Sequence, residues 1–331
     1  MKITVLGSGG WGTALALLLL KNGHEVTLWS YIEDESANLR EKRENPVLPG
    51  IPLPEELTLT SDLSCVKGCG VVVMAPPSFA MRQTAVKVAD LLDEGTVIVS
   101  VSKGIEENTS LTMTEVIGQA TGDRFPVAAL SGPSHAEEVA REMPTSVVSA
   151  SKDPQIAQMV QDLFMAPMFR VYTTDDVVGV ELAGALKNII ALCAGVCDGL
   201  GYGDNTKAAL MTRGLNEIAR LGQAMGGRRE TFSGLAGVGD LMVTCTSQHS
   251  RNRRCGALIG QGTLPQDAVR EVGMVVEGYY AAAAAMTLAE KLGVEMPLSQ
   301  AVWRVLYRGK DPRTAALELM TREKRAESDL L

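Results

Sequence analysis

The stretch KITVLGSGGWGTALALLLLKNGHEVTLW, residues 2–29, decides the fold of this chain. It begins with a β-branched strand, continues through a glycine turn into an apolar helix that ends at an Asn-Gly pair, and finishes in a second strand. Within the turn, Gly7, Gly9 and Gly12 have the spacing G-x-G-x-x-G, directly after the strand and at the head of the helix. This context predicts a βαβ unit rather than an isolated glycine pattern.

Each of these glycines has a separate role in a dinucleotide site. Gly7 permits the tight turn, Gly9 lets the backbone approach a pyrophosphate, and Gly12 lets the helix pack closely on the strand. The helix N-terminus supplies N–H groups and a positive dipole to the phosphates. We therefore expect this turn to bind NAD or NADP, in preference to the alternative of a tight turn without a ligand.

The residue that reads the adenosine ribose is expected after the second strand, within LWSYIEDES, residues 28–36. An acidic residue there favours NAD, and a basic residue favours the 2′-phosphate of NADP. Ser30 and Tyr31 occupy the tip, and Glu33 and Asp34 follow a little later. These residues alone leave the choice between NAD and NADP open.

The pattern outside this stretch predicts two domains. Residues 1–177 alternate β-branched runs with helical ones, which favours a parallel, doubly wound, Rossmann-type sheet. Residues 178–331 are rich in Ala, Leu, Met and Glu and predict an all-α, substrate-binding domain. The predicted strands are KITVLG (2–7), EVTLW (25–29), VVVMA (71–75), TVIVSVS (96–102), VAAL (127–130), TSVVSA (145–150) and FRVYTT (169–174).

Composition excludes several classes of protein. A formal net charge of -8 and 4% aromatic residues argue against a nucleic-acid binder. The apolar run ALALLLL, residues 14–20, is too short to span a bilayer and lacks the flanks of a signal peptide. We expect a cytoplasmic protein without membrane insertion.

The cysteines predict no metal site. The six cysteines form no CxxC pair, so neither a zinc ribbon nor a redox motif is indicated. Cys193 and Cys197 lie four apart on a predicted helix, where two metal ligands would share a face, but buried thiols explain them more simply.

Three loops follow predicted strands, at the edge where open α/β sheets bind ligands. They are APPS (75–78), VSKG (101–104) and LSGPSHAEE (130–138). Lys103 is either a ligand or a solvated loop lysine. Ser131 or Ser134 is a candidate cap for the helix that begins near His135, and this role does not exclude a place in an active-site loop.

Lys187 and Asn188 interrupt an otherwise apolar helical run, ELAGALKNIIALCAG, residues 181–195. A buried ammonium costs on the order of several kcal/mol unless it is paired, so such a lysine usually snorkels to water or has a function. A desolvated lysine also releases its proton more readily, which suits proton transfer near neutral pH.

A basic cluster lies in GVGDLMVTCTSQHSRNRR, residues 237–254, where Arg251, Arg253 and Arg254 fall within four positions. The cluster is either a solvated run or a site for an anion.

Six blocks of the sequence are considered together: GSGGWGTALA (7–16), SVSKGIE (100–106), LSGPSHAEEVA (130–140), ELAGALKN (181–188), GVGDLMVTCTSQHSRNRRCG (237–256) and VVEGYYAA (275–282). Together they resemble the soluble, bacterial-type NAD(P)-dependent sn-glycerol-3-phosphate dehydrogenases. The resemblance runs from residue 3 to about residue 310, with the blocks in the family's order and spacing.

The resemblance implies reversible hydride transfer between a nicotinamide and C2 of dihydroxyacetone phosphate or sn-glycerol 3-phosphate, which supplies the glycerol phosphate backbone for phospholipid synthesis. It implies that Lys187 is the proton donor and acceptor and that the Ser-Arg-Asn run cradles the substrate phosphate. The implied substrate contacts are Lys103, Gly132, Ser134, Lys187, Asp240, Ser250, Arg251 and Asn252. The implied cofactor contacts are Gly10, Trp11, Lys103, Ala136, Arg251, Val275 and Glu277. The predicted cofactor residues also include Gly7, Gly9 and Gly12 of the glycine turn and Tyr31 after the second strand.

Three positions have no matching assignment within the resemblance. Arg253 and Arg254 are interpreted as solvated or cofactor-side charges. Tyr31 stands where the family commonly has an arginine, so we expect NAD(H) to be used at least comparably with NADP(H), unless Arg40 or Arg43 folds back to supply the cation.

Two other functions compete with this interpretation. One is another Rossmann 2-hydroxyacid or ketopantoate-type reductase, although a carboxylate substrate explains the Ser-Arg-Asn run less well. The other is a non-catalytic dinucleotide-sensing protein, which would not need both Lys187 and Asp240. The small Ala- and Met-rich helices are consistent with a homodimer and equally with an internal helix pair.

Overall fold

The computed structural model describes residues 1–327. The last four residues of the expected helical domain, 328–331, lie outside the described residues. The chain divides into two compact units, each with its own hydrophobic core. The first unit comprises Met1–Lys103 and Met113–Val177, and the second comprises Gly104–Thr112 and the chain from Val178 onward.

The first unit is built on an eight-stranded sheet with the strand order β3-β2-β1-β4-β5-β6-β7-β8. The chain runs outward from β1 to one edge and then resumes on its other side at β4, as in a doubly wound fold, so the point where the order reverses lies beside β1. The strands are β1 (Lys2–Leu6), β2 (Glu25–Trp29), β3 (Thr58–Thr60), β4 (Val71–Met74), β5 (Val97–Ser100), β6 (Val127–Ser131), β7 (Thr145–Ala150) and β8 (Phe169–Thr174).

Six helices belong to the same unit. The first begins at Gly10, inside the glycine turn, and Asn22 is its C-cap, followed by Gly23 with a φ of +85°. The helices are α1 (Gly10–Lys21), α2 (Glu33–Lys42), α3 (Met81–Val88), α4 (Met113–Thr121), α5 (Ala136–Ala140) and α6 (Pro154–Phe164).

The sheet differs from the sequence prediction in two details. The edge strand β3 has only three residues, too few to give a recognisable β pattern. The pair β6 and β7 is antiparallel, whereas the sequence predicted parallel strands throughout. The connecting helix α5 has five residues and spans about 7.5 Å, which is too short to return the chain to the start of β6.

The second unit is helical and is organised around a long apolar helix, α7, whose Leu182, Leu186, Ile189 and Ile190 are fully buried. Of the helices within residues 1–327, α7 alone is long and apolar enough to cross a membrane, but 89% of its most apolar window is buried inside the protein. The helices are α7 (Val177–Gly199), α8 (Asp204–Ala224), α9 (Arg229–Phe232), α10 (Asp240–Thr246), α11 (Arg251–Gly260), α12 (Pro265–Val272), α13 (Glu277–Leu292), α14 (Pro297–Arg308) and α15 (Pro312–Met320).

Glycines bring α7 and α11 into backbone contact. A Cβ added at Gly195 would lie 2.0 Å from the carbonyl oxygen of Arg253, and one added at Gly256 would lie 2.0 Å from that of Leu192. Since real side chains do not approach so closely, the two helices pack at this distance only because these positions are glycine.

Candidate active site

The glycine turn has the geometry of a dinucleotide-binding loop. Gly7 has a φ of +124°, and a Cβ at Gly12 would lie 1.9 Å from the carbonyl oxygen of Gly7, so turn and helix meet in close contact. A Cβ at Gly9 would have no neighbour within 4 Å, which leaves room for a ligand to approach the backbone there. The buried indole Nε1 of Trp11 has no hydrogen-bond partner within the described part of the chain. The loop therefore has both the space and an unsatisfied donor that a pyrophosphate-containing cofactor would use.

Helix α5 packs beside the start of α1. A Cβ added at Gly10 would lie 3.5 Å from the Cβ of Ala136, the first residue of α5. The predicted cofactor residues Gly10 and Ala136 are thus neighbours, although more than a hundred positions separate them in the sequence.

The tip of β2, where the sequence predicts the residue that reads the ribose, has a neighbouring cation that the sequence did not predict. Lys87, on α3, places Nζ 4.8 Å from the centre of the Tyr31 ring, and Tyr31 is 65% exposed. Glu33 pairs with Arg40 at 2.5 Å, and hydrogen bonds from Ser61 and then Arg40 hold the pKa of Glu33 below its usual value.

The arginines considered as alternative readers of a 2′-phosphate both have carboxylate partners. Besides the pair of Arg40 with Glu33, Arg43 forms an ion pair with Glu55 at 3.0 Å and donates to the carbonyl oxygen of Leu57 at 3.0 Å. Both guanidinium groups are therefore already paired with carboxylates.

The three loops that follow β4, β5 and β6 are joined by hydrogen bonds. The hydroxyl of Ser102 donates to the carbonyl oxygen of Pro76 at 2.5 Å, which joins the first loop to the second. Lys103 Nζ donates to the carbonyl oxygen of Gly132 at 2.9 Å, which joins the second to the third. Ser134 Oγ donates to the same carbonyl at 3.0 Å. The predicted residues Lys103, Gly132 and Ser134 therefore form one cluster.

Neither serine in the third loop caps α5. The N-cap residue is His135, which makes no side-chain capping hydrogen bond, and Ser134 bonds to Gly132 instead. The buried hydroxyl of Ser131 has no hydrogen-bond partner among residues 1–327. The capping interpretation of these serines was wrong.

In the second unit, Lys187 is held by two residues of α10. Its Nζ donates to Asp240 Oδ1 at 2.5 Å and to Thr244 Oγ1 at 2.7 Å. Lys187, Asp240 and Thr244 are 6%, 1% and 4% exposed. The Thr244 hydroxyl also donates to the carbonyl oxygen of Asp240 at 2.6 Å, which leaves its lone pairs to accept from the lysine. The ammonium is thus a paired and oriented buried charge.

Cys245 follows Thr244 but is not a candidate nucleophile. Burial raises the pKa of the Cys245 thiol to about 12, against the lowering effect of the Lys187 charge. A thiol with this pKa stays protonated near neutral pH and is therefore inert.

Asn252 connects three helices through its side-chain amide. Its Nδ2 donates to Asn188 Oδ1 on α7 at 3.0 Å, and its Oδ1 accepts from the backbone N–H of Gly278 on α13 at 2.8 Å. These bonds place the start of α13, with the predicted Val275 and Glu277, beside the start of α11. The resemblance assigned Asn252 to the substrate, and the structure places its amide in bonds within the protein.

The start of α11 has the features of an anion site. Ser250 is the N-cap of this helix, and its Oγ accepts from the backbone N–H of Arg253 at 3.2 Å. Arg251 is the first residue of the helix and is partly exposed. A helix N-terminus with a serine hydroxyl and an arginine offers several donors to a phosphate.

The sequence did not predict two residues that contact the predicted site residues Lys187 and Asn252. Thr244 lies four positions after Asp240, one helical turn away, so the spacing alone would place both side chains on one face of α10. Asn188 directly follows Lys187 and was not assigned to the site, although its amide accepts from Asn252.

The described residues contain no group of three or more His, Cys, Asp or Glu side chains that would hold a metal ion. The Cys193 and Cys197 thiols hydrogen-bond to each other, which raises the pKa of Cys193 and lowers that of Cys197. Two neighbouring thiols do not complete a tetrahedral site.

Two family models match the chain. The model of the NAD-dependent glycerol-3-phosphate dehydrogenase N-terminus matches residues 2–157, and that of the C-terminus matches residues 176–317. The chain is 51% identical to the glycerol-3-phosphate dehydrogenase [NAD(P)+] of Agathobacter rectalis, over 100% of this chain and 98% of the relative.

Solved structures give the same result. The crystal structure of glycerol-3-phosphate dehydrogenase from Coxiella burnetii is 41% identical, has a TM-score of 0.94, and covers 97% of this chain and 99% of its own. A ketopantoate reductase from Ralstonia eutropha JMP134 is 17% identical with a TM-score of 0.61, over 96% of this chain and all of its own, and this likeness concerns the fold alone.

Proposed function

Because the chain belongs to the NAD-dependent glycerol-3-phosphate dehydrogenase family, we propose that it interconverts dihydroxyacetone phosphate and sn-glycerol 3-phosphate with Lys187 as acid and base. It is an NAD(P)-dependent oxidoreductase that acts on a CH–OH group. The observation that carries the proposed role of Lys187 is its buried contact with Asp240 and Thr244.

The proposed chemistry at Lys187 follows from the charge that the reaction creates. Reduction of the C2 ketone places negative charge on its oxygen, and an ammonium at that oxygen both stabilises the charge and gives up a proton. In the reverse direction the neutral amine takes the proton of the C2 hydroxyl. Asp240 and Thr244 fix the direction of Nζ, so that little reorganisation is needed during the reaction.

The substrate phosphate is assigned to the start of α11. Arg251 offers a planar fork of donors that suits phosphate oxygens, and Ser250 adds a hydroxyl. The first backbone N–H groups of α11 and its dipole add further attraction for a dianion. Lys103, Gly132 and Ser134 are proposed as further substrate contacts because their loops are joined by hydrogen bonds.

The nicotinamide dinucleotide, when bound, supplies or accepts the hydride. The glycine turn and the start of α1 would hold its pyrophosphate, and the Trp11 N–H would be one donor to it. The remaining proposed cofactor contacts are Tyr31, Lys103, Ala136, Arg251, Val275 and Glu277.

The two competing functions are less well supported. Ketopantoate-type reductases share the fold, but the sequence identity of 17% is too low to support a shared activity. The two glycerol-3-phosphate dehydrogenase models, by contrast, cover most of the chain. A sensing protein would have no use for a lysine held by a carboxylate and a hydroxyl in a dry environment. We also propose a role in supplying glycerol phosphate for phospholipids and a cytoplasmic location, and the homodimer stays a prediction.

The test is a direct assay of the purified protein. Dihydroxyacetone phosphate is added with NADH or NADPH, and the absorbance of the reduced nicotinamide is followed. The proposal expects rapid oxidation of the coenzyme with this substrate and little with 2-oxo acids such as ketopantoate. Turnover of ketopantoate alone would indicate the rival reductase, and coenzyme binding without turnover of either substrate would indicate a sensor.

A further inference from the structure

Two adjacent arginines on α11, Arg253 and Arg254, have no role in the mechanism above, and their surroundings differ. The Arg253 side chain is 22% exposed and forms an ion pair with Asp198. Arg254 is exposed, and in the described chain no carboxylate lies within salt-bridge distance of it. The two residues carry the same charge on the same helix, so any difference between them must come from these contacts.

Arg253 bonds to two segments besides its own. Its Nε donates to Asp198 Oδ2 at 2.6 Å, near the end of α7. Its Nη1 donates to the carbonyl oxygens of Thr246 at 3.3 Å and Ser247 at 3.4 Å, where α10 ends. A guanidinium can make all three bonds at once because its donors form a rigid, planar fork.

Asp198 provides a fixed point for this arrangement. Its Oδ1 forms an ion pair with Lys207 of α8 at 2.7 Å, while Oδ2 accepts from Arg253. Both side chains of the Asp198–Lys207 pair are about one-fifth exposed, so water competes only partly for these contacts.

The segment that Arg253 holds is the connection between α10 and α11, residues 246–250. Asp240 and Thr244, which hold Lys187, lie before this connection, Ser250 is its last residue, and Arg251 follows it. The backbone N–H of Arg253 also donates to Ser250 Oγ, so the residue bonds to the connection at its other end as well. Displacement of this connection would move the proposed phosphate donors directly.

We propose that Arg253 is a positioning residue: anchored on Asp198, it holds the 246–250 connection so that Ser250 and Arg251 reach the substrate phosphate. This inference rests on the proposed function, because the phosphate role of Arg251 is itself proposed there. Arg253 does not bind the phosphate and acts only through the geometry of its neighbours.

Asp198 distinguishes a positioning arginine from a phosphate ligand. If Arg253 bound phosphate directly, loss of its carboxylate partner would leave a free guanidinium, and substrate binding would stay the same or improve. If Arg253 is a positioning residue, loss of Asp198 releases it from its anchor and has the same effect as loss of Arg253. The Asp198→Asn variant is therefore the decisive one, since it leaves the charge of Arg253 in place.

The experiment measures KM and kcat for dihydroxyacetone phosphate at saturating coenzyme in Arg253→Ala, Arg253→Lys, Asp198→Asn and the double variant Arg253→Ala/Asp198→Asn. We expect each single variant to raise KM about tenfold or more, with kcat changed by at most about threefold. The KM of the double variant should lie within about twofold of the KM of the single variants, because both substitutions break the same ion pair between Arg253 and Asp198. Arg253→Lys keeps the charge but lacks the planar fork, so it should not restore the KM.

Arg254→Ala serves as the matched control, because it removes an arginine from the same helix. This variant should keep KM within about twofold of the unmodified protein.

A normal KM in Asp198→Asn beside a raised KM in Arg253→Ala would overturn the inference and make Arg253 a direct ligand. A normal KM in Arg253→Lys would overturn it in favour of a general field of charge. Arg251→Ala separates this inference from the proposed function: if that variant has an unchanged KM, the phosphate assignment itself fails. If Arg251→Ala loses binding while Asp198→Asn does not, only the positioning role fails.

Discussion

Lys187 and Asp240 are a buried ion pair, and such a pair responds very differently to loss of one partner and loss of both. Removal of one partner leaves an uncompensated buried charge, whereas replacement of both by neutral groups of similar size is often tolerated. Experiments on Lys187 therefore need a variant in which Asp240 is neutralised as well. Otherwise a loss of folding would be mistaken for a loss of chemistry.

Arg251 gives a prediction that depends on the substrate. Loss of a charge-assisted, bidentate contact to phosphate typically costs a few kcal/mol, or roughly two to three orders of magnitude in kcat/KM. Arg251→Ala should lose this much with dihydroxyacetone phosphate, while unphosphorylated dihydroxyacetone, if it is turned over at all, should be little affected. Steady-state kinetics with the two substrates measure the difference.

The control for this prediction is Arg254→Ala, because Arg254 is exposed and belongs to the same basic cluster. Equal losses of kcat/KM in both variants would mean that the basic cluster acts through its overall positive charge and not through a specific contact of Arg251. No loss in either variant would make the cluster a solvated run.

The coenzyme preference is a second prediction at this scale. The arginines near β2 pair with carboxylates, and the cation at the tip is the exposed Lys87. An exposed lysine contributes roughly 1 kcal/mol or less to an ionic contact, so we expect kcat/KM with NADH to be at least comparable with that for NADPH. A ratio of a hundredfold or more in favour of NADPH would contradict this. Lys87→Ala should reduce binding of NADPH, measured by fluorescence titration, and leave that of NADH unchanged.

At the scale of helices, the glycine contact between α7 and α11 sets the geometry of the site. Asn188 on α7 and Asn252 on α11 bond side chain to side chain at 3.0 Å. Gly195 and Gly256 let the two backbones meet at that spacing. Any side chain at these positions forces the helices apart and lengthens the hydrogen bond between the Asn188 and Asn252 side chains.

Gly195→Ala should therefore destabilise the protein. Its Cβ would lie 2.0 Å from the carbonyl oxygen of Arg253, which is backbone and cannot rotate away. Overpacking of this kind costs roughly 1–3 kcal/mol or more, which urea unfolding followed by circular dichroism would detect. Gly203→Ala is the comparison, because a Cβ there meets nothing within 4 Å. Equal stability of the two variants would show that the helix contact tolerates a side chain.

For the molecule as a whole, local sequence patterns predicted most of the secondary structure. They did not predict the contacts between segments that are distant in sequence. The glycine turn, most strands and the long helices follow from spacing within one segment. The antiparallel β7 depends on the length of α5. The position of Lys87 over Tyr31 depends on how α3 packs against the end of β2.

The second unit gives the clearest example of a contact that no local pattern encodes. The segment Gly104–Thr112 belongs to the second unit, and Ile105 is 4% exposed in the hydrophobic core of that unit. In the sequence it simply follows the Lys103 loop of the sheet. The amides of Asn188 and Asn252, 64 positions apart, likewise meet only through folding.

The most direct test of the account is the turnover of Lys187→Ala and of the double variant Lys187→Met/Asp240→Asn with dihydroxyacetone phosphate. General acid–base catalysis contributes roughly 10²–10⁴-fold, so kcat should fall by that factor in both, while circular dichroism and NADH binding of the double variant match the unmodified protein. The double variant removes both buried charges, so no unpaired charge is left in the interior to destabilise the fold. Turnover within about threefold of the unmodified protein in either variant would contradict the assignment of Lys187 as acid and base.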